Sequence, residues 1–165
     1  MRSEQQFISE YAVSHQNPVN QIVHMICVPA IFIASIALLW FVPVGRFIPG
    51  VPTTIAPFIN VATLGLPLML GFYGLLSLHA VLVGALWLAV SFALTLAGIQ
   101  AGLPVLWIAA AIWIAAWAVQ FYGHKVEGAK PSFADDLLFL LIGPLFVQQK
   151  LKRLVTTGSY HTQAH

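Results

Sequence analysis

Charge is what this chain lacks. Of its 165 residues only 7% are Asp, Glu, Lys or Arg, against roughly 25% in an ordinary soluble domain. Between Arg46 and Lys125 lie 78 consecutive residues without one of them. At about 20 residues per crossing, that interval holds three apolar helices with short turns. A formal net charge of +2, carried mostly near the two ends, gives no basic surface on which to expect a nucleic-acid partner. Cysteine is nearly absent too. The single Cys27 excludes an internal disulfide framework and leaves the redox compartment unspecified. The polar opening, with Glu4, Gln5, Gln6, Glu10, His15 and Asn17, lacks the basic start and immediate apolar core of a removable signal peptide, so it is expected to remain with the mature chain.

What the chain has instead is apolar length: 59% of its residues are hydrophobic. Four spans are expected, at about 22–42, 60–78, 80–96 and 105–122, and the Pro/Gly-rich stretch from Pro43 to Pro52 separates the first two. A fifth apolar run, Leu137 to Val147, is too short to cross and contains Gly143-Pro144, so an interfacial or re-entrant segment broken at that point is expected. The fold class is therefore all-α, a polytopic membrane helical bundle of about four transmembrane helices plus a short C-terminal segment. It reads as one membrane domain over 1–165: an N-terminal polar segment to residue 21, the bundle over 22–122, and an interfacial segment over 123–165. With four spans, Arg2, Lys125, Lys130, Lys150, Lys152 and Arg153 fall on one side and only Arg46 on the other, which places both termini in the cytoplasm. A bacterial inner membrane and an endoplasmic-reticulum membrane both suit such a chain, and a homo-oligomer is compatible with it.

The same topology puts His15, His24, His79 and His124 at one membrane face. Polar groups in a membrane domain are costly and tend to mark chemistry, and neutral imidazole is the commonest ligand for iron or zinc. On one unbroken helix His15 and His24 would stand about 13 Å apart on opposite faces. Asn17-Pro18 removes that difficulty: Asn17 is a good N-cap and Pro18 a good first helical residue, so a turn there folds His15 back toward His24. Asn20 is then expected to orient an imidazole. In a second polar cluster, Gln120, His124 and Glu127 recur at helical spacing and define one stripe facing the bundle. There His124 is the expected ligand, and Glu127 a supporting or acid/base group. Histidines 161 and 165 lie in a polar tail and are not expected to ligate.

These two clusters, Tyr11-Ala12-x-x-His15-x-Asn17-Pro18-x-Asn20-x-x-x-His24 followed by Pro29, and Gln120-x-x-Gly123-His124-x-x-Glu127-x-x-x-Pro131, resemble the family of membrane 2-hydroxy fatty acid dioxygenases. The resemblance extends over most of the chain. It implies an Fe(2+)-dependent oxidoreductase of fatty acid alpha-oxidation, which uses dioxygen to remove C1 of a 2-hydroxy fatty acid and leaves the acid one carbon shorter. Carried over by position, it supports His15, His24 and His124 as metal residues. His79 rests on topology alone. Lys125, Lys130 and Asn17 are the expected contacts to substrate, with Glu127 and Asn20 in the catalytic group. Other classes predict different patterns. A small transporter or scaffold would place polar groups near the midplane, and a two-iron desaturase would need more histidines in short-spaced boxes. A zinc hydrolase would use the same ligands and differ in not needing oxygen.

Overall fold

A computed structural model describes residues 5–7, 9, 16–128 and 133–157, the side chains of 133–139 and 153–157 excepted. Among the described residues every regular element is helical. The long helices are α1 (Pro18–Trp40), α2 (Val61–Leu76), α3 (Leu78–Gln100), α4 (Val105–Glu127) and α5 (Phe133–Thr157). The Pro/Gly-rich connection after α1 forms two short 3-10 turns, Val44–Phe47 and Ala56–Phe58.

Three stretches are long and apolar enough to cross a membrane: Pro18–Phe47, Leu78–Gln100 and Val105–Glu127. The expected second span is present as α2, but at 16 residues it reaches only about 24 Å, short of a hydrocarbon layer of about 30 Å. Its ends explain the length. Asn60 Oδ1 accepts from Thr63 N–H at 3.0 Å while Thr63 Oγ1 accepts from Asn60 N–H at 3.1 Å, a reciprocal cap that starts the helix. Ser77, in extended conformation, ends α2 and caps α3 by accepting from Ala80 N–H at 2.9 Å. An even number of crossings, which cytoplasmic placement of both termini requires, depends on this short helix.

The C-terminal segment departs from expectation. Instead of a short piece broken at Gly143-Pro144, α5 runs for 25 residues with Pro144 inside it. Proline costs a helix one backbone hydrogen bond, but the flanking positions are held by packing: Ile142, Leu145, Phe146 and Val147 are all buried. Gly143 lies so close to Val28 of α1 that a side chain there would overlap it. The apolar run ends at Val147, and Gln148 to Arg153 continue the helix as a polar stretch.

The chain divides into two compact units, Met1–Phe32 with Ile114–His165, and Ile33–Trp113. In the first unit Cys27 and Ile31 of α1 pack with Ala116 and Trp117 of α4, and Val23, Ala30 and Leu140 close around them. In the second, Ala34 and Ala37 meet Ala109, small residues that let helix backbones approach. Trp113 Nε1 donates to Ser35 Oγ at 3.1 Å. The α2–α3 hairpin closes on Tyr73, which is fully buried and whose ring occupies the place a side chain on Gly84 would take.

A candidate metal centre

The site belongs to the first unit and begins with the corner before α1. Asn17 caps the helix as its sequence suggests, its Oδ1 accepting from Val19 N–H at 2.9 Å, and Pro18 is the first helical residue. The amides just upstream are satisfied from far along the chain. Glu127 Oε1 accepts from Gln16 N–H at 2.7 Å and Asn17 N–H at 3.0 Å. Its Oε2 accepts from Asn17 N–H at 2.9 Å and from Asn20 Nδ2 at 3.0 Å. Glu127 is the last residue of α4, where the helix dipole disfavours a negative charge. The dipole of α1, whose N-terminus the carboxylate faces, favours one, by roughly 0.3–1 kcal/mol. Gly128, at φ 75°, ends α4 immediately afterward.

Asn20 and His24 follow one turn apart on the face of α1 that meets α4. Both are buried, at 0% and 1% exposure. His24 Nδ1 lies 3.0 Å from the main-chain oxygen of Asn20. A carbonyl can only accept, so Nδ1 carries the proton and Nε2 presents a lone pair, the tautomer a metal ligand needs. Asn20 thus orients the imidazole through its backbone carbonyl. The side chain is engaged elsewhere: Nδ2 must face the Glu127 carboxylate, an acceptor, which turns Oδ1 toward Gly123. A Cβ built on Gly123 would stand 2.5 Å from that oxygen and 3.1 Å from Val23 Cγ1, so only glycine permits α1 and α4 to approach this closely here.

The stripe on α4 is oriented as the spacing predicts. Gln120 and His124 are buried at 5% exposure each, Glu127 is half-buried, and Phe121, Tyr122, Lys125 and Val126 point outward. The rings of His24 and His124 meet edge to face with centres 5.0 Å apart and planes at 88°. Two imidazoles bound through nitrogen at about 2.1 Å to one ion, at angles between square and tetrahedral, have ring centres roughly 4.5–5.2 Å apart. The observed separation falls in that range, which is also the range of an ordinary edge-to-face ring contact. Among the described residues no group of three or more His, Cys, Asp or Glu has metal-holding geometry. His15 lies outside the described residues, as does Lys130.

The other expected residues are placed as follows. His79 is exposed, the second residue of α3, and belongs to the second unit. Lys125 is exposed on α4 and Asn17 is half-buried in its capping role. Sequence reasoning used Lys150 only among the basic residues that set the orientation. It is buried at 5% exposure, donates from Nζ to Gln21 Oε1 at 2.9 Å and lies over the Phe146 ring at 5.6 Å. Its neighbours Gln148 and Gln149 follow directly on the buried run from Ile142 to Val147, and the helical continuity of that run was the signal available. Gly123 stood inside the quoted motif, yet a glycine near a helix end reads first as a terminator.

No curated protein and no solved structure matches the chain. A family model described as Mpo1-like, 2-hydroxy-palmitic acid dioxygenase Mpo1-like, matches residues 1–155. That span takes in the Asn17-Pro18 corner, both buried histidines and the Glu127 contacts, and the chain belongs to this Mpo1-like family.

Proposed function

We propose that the protein is an iron(II)-dependent dioxygenase of 2-hydroxy fatty acids, acting at the cytoplasmic face of its membrane to release the acid one carbon shorter. The observation that carries the reading is the buried His24–His124 pair, 5.0 Å between ring centres, with the proton of His24 held on Nδ1 by the Asn20 carbonyl. In this proposal His15, His24 and His124 hold the ion. His79, assigned from sequence topology alone, stands in the second unit. Bound iron(II) with open coordination positions would supply the means to engage dioxygen and a chelating hydroxy acid together.

The remaining work falls to the protein. Asn20 keeps His24 in one tautomer and one orientation. Glu127, accepting from Gln16, Asn17 and Asn20, supports the Gln16–Asn17 corner. The apolar cluster of Cys27, Ile31, Ala116 and Trp117 packs α1 against α4 and holds the two helices that carry the histidine pair. Lys125, exposed at the end of α4, is assigned attraction of the substrate carboxylate, and Lys130 the same role. The overall change closes without a reductant: one 2-hydroxy acid and one dioxygen give the shorter acid, carbon dioxide and water.

The test is anaerobic purification in detergent with iron(II), then incubation with 2-hydroxypalmitic acid with and without oxygen. The expected result is pentadecanoic acid, dependent on both iron and oxygen and absent in His24→Ala. Absence of product from iron-loaded protein would refute the reading, and turnover with zinc but without oxygen would replace it with a hydrolase.

A further inference from the structure

Glu127 is the obvious candidate for moving a proton, being the carboxylate closest in sequence to the paired histidines. Its contacts point to another task. Both oxygens are occupied by donors from a segment more than a hundred residues away, and two of those donors are main-chain amides. The first of them, Gln16 N–H, is the amide of the peptide bond that joins His15 to Gln16. A further contact is from Asn20 Nδ2, whose residue also holds His24 through its carbonyl and lies against Gly123, next to His124. One carboxylate thus ties together the chain that follows His15, the residue that orients His24, and the helix that carries His124.

We propose that Glu127 is a positioning residue: a latch that fastens the Gln16–Asn17 corner and Asn20 to the C-terminal end of α4, so that α1 and α4 hold the His24–His124 pair together, and that it does not relay protons in turnover. The inference rests on the metal-centre reading above. It explains why an acidic residue stands at a helix C-terminus, where its own helix disfavours it. It also gives Asn20 a second reason for its identity: a buried donor is needed for Glu127, and only a short amide supplies one while leaving room against Gly123. The polar corner has little apolar surface to hold it, so charge-assisted hydrogen bonds are the means by which it stays ordered.

The test compares Glu127→Ala, Glu127→Gln and the wild type by two measurements that do not need turnover. The first is hydrogen exchange at the Gln16 and Asn17 amides. The second is affinity for iron(II), or for cobalt(II) as a spectroscopic stand-in. Glutamine keeps one acceptor for the amides, and its NH2 can be met by Asn20 if that side chain turns over, so it preserves part of the latch. Glu127→Ala is expected to lose protection at both amides and to bind the ion about 10–100-fold more weakly, the usual effect of removing a group that orients ligands. Glu127→Gln should stay within about tenfold of wild type in both, and its product formation should return at saturating iron. If the amides exchange equally fast in wild type and Glu127→Ala, the latch is overturned. A proton-relay role would instead leave ion affinity unchanged in both variants and abolish turnover in both at saturating iron. Exchange and affinity behaving as stated in a wild type that forms no shorter acid would keep the latch and remove the dioxygenase reading.

Discussion

Replacing Gly123 with alanine tests the packing on which the histidine pair depends. In a helix interior glycine to alanine ordinarily gains about 0.5–1 kcal/mol, through chain entropy. Here the added Cβ would lie 2.5 Å from Asn20 Oδ1 and 3.1 Å from Val23 Cγ1, where ordinary contact begins near 3.4 Å. Asn20 cannot swing aside freely, because it is fully buried and its Nδ2 is held by Glu127 at 3.0 Å. The helices must therefore part by about 1 Å or Asn20 must release Glu127. Overpacking of this kind costs about 1–3 kcal/mol, so it outweighs the helix gain and leaves a net loss of up to about 2 kcal/mol. At roughly 2–4 °C per kcal/mol for a chain of this size, the melting midpoint in detergent should fall by several degrees, read by tryptophan fluorescence. Gly71→Ala is the control: it lies on α2 with nothing within 4 Å of the added atom and should be neutral or mildly stabilising. A Gly123→Ala protein as stable as Gly71→Ala would refute the close approach of α1 and α4.

Asn20→Asp is nearly isosteric but sets a second carboxylate against Glu127 at a fully buried position. A loss of about 3 kcal/mol or more is expected, and an unchanged denaturation midpoint would contradict the assigned contact. Gly143→Ala should destabilise by about 1–3 kcal/mol through overlap with Val28. Val28→Ala in the same chain should restore much of that loss, and additive effects would show that the two residues do not touch. Lys125→Gln and Lys130→Gln should each raise the Michaelis constant for the hydroxy acid with little change in kcat, and unchanged kinetics would remove both lysines from carboxylate recognition.

Helix positions were legible because hydropathy decides them: the spans expected at 22–42, 60–78, 80–96 and 105–122 correspond to α1 to α4. Asn17-Pro18 was legible because cap chemistry is local, and the Gln120/His124 stripe because helical periodicity is. Three features were not. The length of α2 is set by the Asn60–Thr63 reciprocal cap at one end and Ser77 at the other, and apolar composition runs on past both. The continuity of α5 through Pro144 depends on burial of residues around it, a tertiary effect that overrides a local breaker. The task of Asn20 is divided between its carbonyl, its Nδ2 and its Oδ1, and a residue letter does not say which atom acts.

The shortness of α2 has a consequence for the membrane itself. A helix of about 24 Å joined to its longer neighbour α3 through Ser77 alone cannot match a thick bilayer at both ends. If α2 crosses, the lipid beside it has to dimple inward, at a cost of fractions of a kcal/mol for each ångström of hydrophobic mismatch. The capping side chains of Asn60 and Ser77 make this tolerable, since they satisfy amides that hydrocarbon would leave bare. A crossing α2 would favour thin membranes over thick ones.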